Sequence, residues 1–310
     1  MEKRKTKKAN ALLVSLRAFS NSYLFYLVQT LIACLFALLG LEKEGVIFFG
    51  VAVCLLLIVS DDILPTSLPF FLLCALSTSC YNSFSYFIHY AKYAPVVAAA
   101  LLFHFIVYFK GFSSGKSVEG ICAVSIALLL GGIGNFTLLE YIKGSYYILG
   151  LGLGMLASYY LMKSEFSVYR SYDIKIRFSV IMSLLGFFCV AMIGVGYTKQ
   201  YLGFSMEVQG GRPFSPNNLA TLLMFCMPFP VFLSKYKDIW ALGTLLIYGG
   251  ICLTYSRGGL VFGGVEFLVC LLYWVKIGGN QKQKLIFLAV VGAVAFIPLT
   301  LIVKIGRAHV

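Results

Sequence analysis

The sequence predicts an all-α protein, a polytopic bundle of about eleven transmembrane helices, and three observations carry the prediction. First, 60% of the 310 residues are hydrophobic, 12% are charged and the mean hydropathy is +0.90. Water-soluble domains do not have that balance. Second, the apolar residues fall into stretches close to the ~20 residues that span a hydrocarbon core of ~30 Å. Their periodicity is helical rather than the two-residue alternation of a barrel strand. Third, the basic residues alternate in density between successive connections, as membrane topology requires.

Taken in order, the chain opens with a basic segment, 1–21, containing Lys3, Arg4, Lys5, Lys7 and Lys8. This resembles the start of a signal peptide, but the apolar stretch that follows is long and lacks a small-residue cleavage site, so 22–40 is read as a retained first helix. Spans are expected at 45–60 and 63–80, short enough to form a hairpin. An aromatic connection then carries Tyr81, Phe84, Tyr86, Phe87, Tyr90 and Tyr93, rings that suit the headgroup level. Further spans follow at 94–109, 118–139 and 145–162. A charged connection, 163–177, leads to a span at 178–196. The longest outer connection, 197–218, holds Gly203, Gly210, Gly211, Pro213 and Pro216 and reads as a shaped loop. The last four spans are 219–234, 239–255, 258–277 and 285–303, which close a transmembrane domain of 22–303.

A net charge of +13 raises nucleic acid as a partner, and its distribution argues against that. With the N-terminus inside, the inner segments hold seventeen basic residues: Lys3, Arg4, Lys5, Lys7, Lys8, Arg17, Lys110, Lys116, Lys163, Arg170, Lys175, Arg177, Lys235, Lys237, Lys276, Lys282 and Lys284. The outer segments hold six: Lys43, Lys92, Lys143, Lys199, Arg212 and Arg257. Such charge sets orientation, N-terminus cytoplasmic, and meets anionic membrane lipid. Of the nine cysteines, eight lie inside apolar spans, Cys80 ends one, and none form a ligand-spaced pair. They read as small hydrophobes rather than metal ligands. The runs Gly131-Gly132-Ile133-Gly134 and Gly150-Leu151-Gly152-Leu153-Gly154 follow no strand and suit helix packing rather than phosphate binding.

Two arginines stand out. Arg212 lies in Gly210-Gly211-Arg212-Pro213-Phe214-Ser215-Pro216-Asn217-Asn218, and Arg257 in Thr254-Tyr255-Ser256-Arg257-Gly258-Gly259. One span leads inward after the first and the next leads back before the second, so both face the outer side. Asn217 and Asn218 are read as the N-cap of the eighth span, with Pro216 discouraging earlier helix. Gly258 begins the tenth. A guanidinium beside a helix N-terminus is unfavourable unless an anion joins them. With a phosphate present, the free N–H groups and the bidentate guanidinium cooperate. Either arginine alone is explained by snorkelling to lipid headgroups; the pair points to a phosphate or pyrophosphate site at the lipid–water boundary. Glu266, inside the tenth span, is a costly intramembrane carboxyl with either a structural or a functional role. His89, in the aromatic connection, is a candidate for the acceptor side. His104, mid-span, reads as a packed residue.

The Phe214-Ser215-Pro216-Asn217-Asn218-Leu219-Ala220 element, followed one span later by Thr254-Tyr255-Ser256-Arg257-Gly258-Gly259, resembles the O-antigen ligase/polymerase superfamily of bacterial multispanning glycosyltransferases. The motifs cover about 50 residues. Family members carry more residues between the loop arginine and the Phe-x-x-Pro-Asn element, whereas here only Pro213 intervenes. The resemblance implies a GT-C-like fold in the bacterial inner membrane and, as substrate, an oligosaccharide linked through pyrophosphate to undecaprenol. An acceptor hydroxyl would attack its anomeric carbon, with no metal and no cofactor. Arg257 and Arg212 would stabilise the leaving pyrophosphate, and Asn217, Asn218, Ser256 and Gly258 would bind and orient it. The product would be capsule, exopolysaccharide or O-antigen, with a flippase and a chain-length regulator as partners. A ligase of the same family, and a transporter or flippase for lipid-linked intermediates, are the alternatives. A transporter is expected to show broken helices and polar groups near the midplane.

The segment 304–310 ends Ile305-Gly306-Arg307-Ala308-His309-Val310, which matches one reading frame of a common short-read sequencing adapter. The expectation is that these residues are artefact and that the chain continues into a further outer loop. Genomic sequence across the codons for 303–310 is expected to stay open past this point; a native stop codon after Val310 would overturn the expectation.

Overall fold

The computed structural model describes residues 13–80, 93–108, 116–131, 137, 138, 140, 141, 171–203, 213–277 and 284. Among the described residues the regular structure is entirely helical, with no strand. Its helices in order are α1 (Tyr23–Leu39), α2 (Glu42–Val59), α3 (Leu64–Cys80), α4 (Ala94–Tyr108), α5 (Lys116–Gly131), α6 (Ser171–Tyr201), α7 (Pro216–Cys226), α8 (Pro228–Leu233), α9 (Trp240–Thr254) and α10 (Arg257–Lys276), all among the described residues. A short helical segment, Leu13–Ser20, precedes α1 at an angle of 71°.

Among the described residues, three helices are long and apolar enough to cross a membrane: Asp173–Tyr201, Pro216–Leu233 and Arg257–Lys276, with Leu13–Ser20 and Tyr23–Leu39 a fourth if taken as one bent span. By length and composition these helices suit a membrane, and there are fewer of full span length among the described residues than the sequence suggests. α2 has the length but carries Glu42, Lys43 and Glu44 in its first turn, whereas α3, Pro95–Tyr108 and α9 are apolar but shorter. The spans expected at 145–162 and 285–303 lie outside the described residues.

Two boundaries differ instructively. The span expected at 178–196 belongs to a helix of 31 residues, α6. Hydropathy marks only its apolar middle, while Asp173 in the first turn and Lys199 in the last complement the helix dipole and let helix continue beyond it. The span expected at 219–234 is two helices, α7 and α8, parted at Met227. Pro228 and Pro230 have no N–H to give, so the regular ladder cannot pass through. Met227 N donates to both Leu223 O (3.0 Å) and Met224 O (3.1 Å), and Thr244 Oγ1 donates to Met227 O at 3.3 Å. The direction holds, and Pro216–Leu233 remains one span.

The described residues group into two compact units, one within Met1–Tyr26, Ile47–Phe70 and Phe87–Phe178, the other within Leu27–Val46, Phe71–Tyr86 and Ser179–Val310. In the first, Val53, Leu57 and Ala100 form a small core. Arg17 closes one end: its Nε donates to Val59 O at 2.9 Å and its Nη2 to Tyr108 Oη at 3.2 Å, so a cation meets the carbonyl end of α2. His104 is buried with Nδ1 2.9 Å from Leu57 O, the packed role expected of it.

In the second unit, glycines set the helix spacing. A Cβ at Gly243 would lie 2.7 Å from Phe187 Cζ, and one at Gly250 2.7 Å from Val190 Cγ2, so α9 meets α6 at distances only small residues permit. Phe187 stacks on Trp240, with centroids 6.3 Å apart. At one end of this unit, Lys199 donates to Ala37 O, near the carbonyl end of α1. Its Nζ also lies 3.7 Å from Glu42 Oε1, with both side chains largely shielded (16% and 12% exposed). One cation thus satisfies the end of α1 and the start of α2. Removing one partner of a shielded pair strands the other charge, at a cost of roughly 3 kcal/mol. Lys199→Met is expected to lower the melting temperature of detergent-purified protein by several degrees, and adding Glu42→Gln is expected to recover part of the loss. A Lys199→Met protein that melts like the parent would contradict this.

Candidate functional site

The site lies wholly within the second unit and is built at the starts of α7 and α10. Ser215 leads into α7 in an extended conformation (φ −74°, ψ 107°), with Pro216 as the first helical residue. Proline suits that position because the N–H it lacks has no acceptor there. Three contacts hold the entry in place. Ser215 N donates to Thr78 O at 2.8 Å, in the last turn of α3. Phe214 is fully buried and meets Tyr197 edge-on, with centroids 5.5 Å apart. Pro213 packs on Gly196 of α6, where a Cβ would come within 2.9 Å of its Cγ. Tyr197 in turn donates to Leu253 O at 2.9 Å. The helix therefore starts earlier than expected: Ser215, not Asn217 or Asn218, is the N-cap. Proline's fixed φ favours the first helical residue, so Pro216 opens the helix rather than delaying it. Asn217 and Asn218 sit in the first turn, and both are exposed.

α9 reverses into α10 within two residues. Tyr255 is left-handed (φ 54°, ψ 23°), the one non-glycine residue with positive φ among those described. A residue in that conformation ends a helix and turns the chain sharply. Thr254 Oγ1 donates to Ile251 O (2.7 Å) and accepts from Ser256 N (3.2 Å). Ser256 is the N-cap of α10, extended (φ −74°, ψ 117°), and its Oγ accepts from Gly259 N at 3.2 Å. Arg257 is the first residue of the helix.

Two contacts bring these starts together. Ser256 Oγ donates to Asn217 Oδ1 at 2.9 Å, and a Cβ on Gly259 would lie 2.8 Å from Ala220 Cβ. α7 and α10 thus present their N-termini at one end. Neither has an acidic residue in its first turn, so no carboxylate there offsets either dipole end. The guanidinium of Arg257 adds to them; it is exposed and makes no hydrogen bond or ion pair among the described residues. Such an arrangement can hold an anion, with the N–H donors and guanidinium acting together.

The residues picked out from the sequence fare differently. Arg257, Ser256, Asn217 and Asn218 come to this one end. Gly258 is also there and faces open space: a Cβ added to it would have nothing within 4 Å. Arg212 and His89 lie outside the described residues. Glu266 is nine residues beyond Arg257, which on an α-helix is about 13.5 Å along the axis and half a turn around it; it is not part of this constellation. The contributions of Thr78, Thr254 and Tyr255 are not evident from the motifs. Thr254 has a signal in Thr254-x-Ser256, a hydroxyl two residues before a cap. Tyr255 has none, because the neighbouring Gly258-Gly259 draws the expectation of a turn to itself. Among the described residues, no cluster of three or more His, Cys, Asp or Glu could hold a metal ion. No family model matches the chain, nor does a curated protein or a solved structure.

The two adjacent glycines should behave oppositely. Gly258→Ala meets open space and is expected to leave the melting temperature unchanged or slightly raised, since alanine is the better helix former by up to ~1 kcal/mol. Gly259→Val must push Ala220 and α7 away, at about 1–3 kcal/mol. Equal melting temperatures for the two variants would show that the close approach of α7 and α10 is wrong.

Proposed function

We propose that this protein is a bacterial inner-membrane glycosyltransferase that acts on undecaprenyl-pyrophosphate-linked oligosaccharide at the outer membrane face and polymerises the repeat units of a surface polysaccharide. In this reading the chain is a polytopic GT-C-like bundle of about eleven spans with a cytoplasmic N-terminus, and it works beside a flippase and a chain-length regulator. The observation that carries the reading is the position of Arg257: an exposed guanidinium without a protein partner among the described residues, on the first residue of α10 and beside the joined starts of α7 and α10.

The chemistry follows from that placement. An acceptor hydroxyl oxygen forms a bond to the anomeric carbon of the lipid-linked sugar. The bond from that carbon to the pyrophosphate oxygen breaks, and its electron pair leaves with the undecaprenyl pyrophosphate. The hydroxyl proton passes to a base. Negative charge grows on the leaving group as the old bond lengthens, and fixed cations and N–H dipoles at that point stabilise it without rearranging. Arg257 meets the growing charge, and Arg212, four residues before α7 in the sequence, is assigned the same role.

Loss of one preorganised group facing a transition-state charge costs about 10²–10³-fold in rate. In the full-length protein, Arg257→Ala is expected to reduce product by that order and to leave lipid-linked repeat units accumulating, while Arg257→Lys retains a fraction. Polymer and lipid-linked intermediate would be measured together in the source cells. Undiminished polymer in Arg257→Ala removes the assignment; loss of glycan attachment to an acceptor, with polymer length unchanged, would identify a ligase instead.

A further inference from the structure

The motif suggests that Ser256 touches substrate, and its surroundings leave it little means to do so. It is 5% exposed. Its Oγ accepts from Gly259 N at 3.2 Å and lies 2.9 Å from Asn217 Oδ1. A serine hydroxyl has one proton and two lone pairs. With one lone pair taken by the α10 backbone, the buried proton needs an acceptor, and the Asn217 carbonyl oxygen supplies it. The opposite amide orientation would place –NH₂ against Oγ and strand that proton, which is costly at a buried position. The hydroxyl therefore selects the orientation of the Asn217 amide. The backbone of Asn217 is held as well, its carbonyl accepting from Thr221 Oγ1 at 2.9 Å. What remains on the exposed side chain is the amide nitrogen, whose protons have no acceptor among the described residues.

We infer that Ser256 is a positioning residue that acts through Asn217, and that the Asn217 amide N–H is the neutral donor that pairs with Arg257 on the pyrophosphate oxygens. This rests on the functional reading above and refines it: one cation and one fixed amide donor, on two helices, reach the same anion. A purely structural role for the Ser256–Asn217 bond makes a different forecast. Asn217→Asp keeps an oxygen to accept from Ser256 and puts a negative charge in the first turn of α7, where the dipole favours it. On structural grounds the variant should be harmless or stabilising. If Asn217 donates to pyrophosphate, it replaces the donor with a repelling charge.

The test uses the full-length protein purified in detergent, with lipid-linked repeat units extracted from the source cells as substrate and inorganic pyrophosphate as competitor. Asn217→Asp is expected to melt at or above the parent temperature, yet to lose about ten-fold or more in kcat/KM, the order of a hydrogen bond to a charged group, and to be inhibited less by pyrophosphate. Ser256→Gly removes the hydroxyl while glycine retains most of the capping preference; it is expected to show a similar loss, Ser256→Thr to restore most of it, and the Ser256→Gly/Asn217→Asp pair to be no worse than Asn217→Asp. Because Asn217→Asp keeps the cap and the bond, it carries the test even if Ser256→Gly does not fold. Parental kcat/KM in Asn217→Asp, with Arg257→Ala inactive, overturns the positioning role alone. An active Arg257→Ala overturns the functional reading and this role with it.

Discussion

Hydrocarbon offers no hydrogen bond to a backbone amide, and each unsatisfied group there costs several kcal/mol. The rest of the structure depends on that constraint. In helices as apolar as Asp173–Tyr201, Pro216–Leu233 and Arg257–Lys276 it favours a form that satisfies its own backbone, and it leaves ends and breaks where other groups step in. Arg17 closes the end of α2 on Val59 O, and Lys199 closes the end of α1 on Ala37 O. Thr244 bonds to Met227 O at the proline break between α7 and α8. Thr254 and Ser256 fill the two-residue corner between α9 and α10. These polar side chains mark where the chain stops being helix.

Against that background the start of α10 differs from the ends of α1 and α2, where a cation meets carbonyls, as electrostatics favours. At α10 a cation sits on the first residue, where the dipole opposes it, and no carboxylate in the first turn offsets it. The corner also carries the left-handed Tyr255, a conformation that costs a non-glycine residue of order 1 kcal/mol or more. A fold that only needed to turn could have used glycine there. The local cost and the uncompensated charge lie within three residues of each other, and an anion would relieve the electrostatic part of it.

Much of this was legible in the residues. Composition and apolar run length point to the helical membrane class, and the positions of α1, α3, α4, α9 and α10 lie within a few residues of the expected spans. The misplacements share a cause. Hydropathy reports where a chain is apolar, whereas helix extent depends on dihedral preference and end charges, so α6 outruns its apolar middle and Pro216 begins α7 ahead of the asparagines. Run length alone also does not report what a helix carries in its end turns. α2 has eighteen residues but spends its first turn on Glu42, Lys43 and Glu44, of which Glu42 is needed by Lys199.

The site was legible in part for a different reason. Arg257 announces itself because a charge inside an apolar sequence is improbable, and a single residue suffices to make that argument. The Ser256–Asn217 bond cannot be read in the same way. It joins residues 39 apart, and its meaning lies in which lone pair and which proton are left over once the caps are satisfied. Ser256 looks like a ligand-binding hydroxyl because serine beside arginine usually suggests one. Its proton goes to the Asn217 carbonyl and one lone pair to the Gly259 amide, and in the proposed reading the contact with the anion falls to the exposed amide it holds. A residue type in a motif names a capability; the neighbours that consume or orient its hydrogen bonds decide whether that capability reaches a substrate.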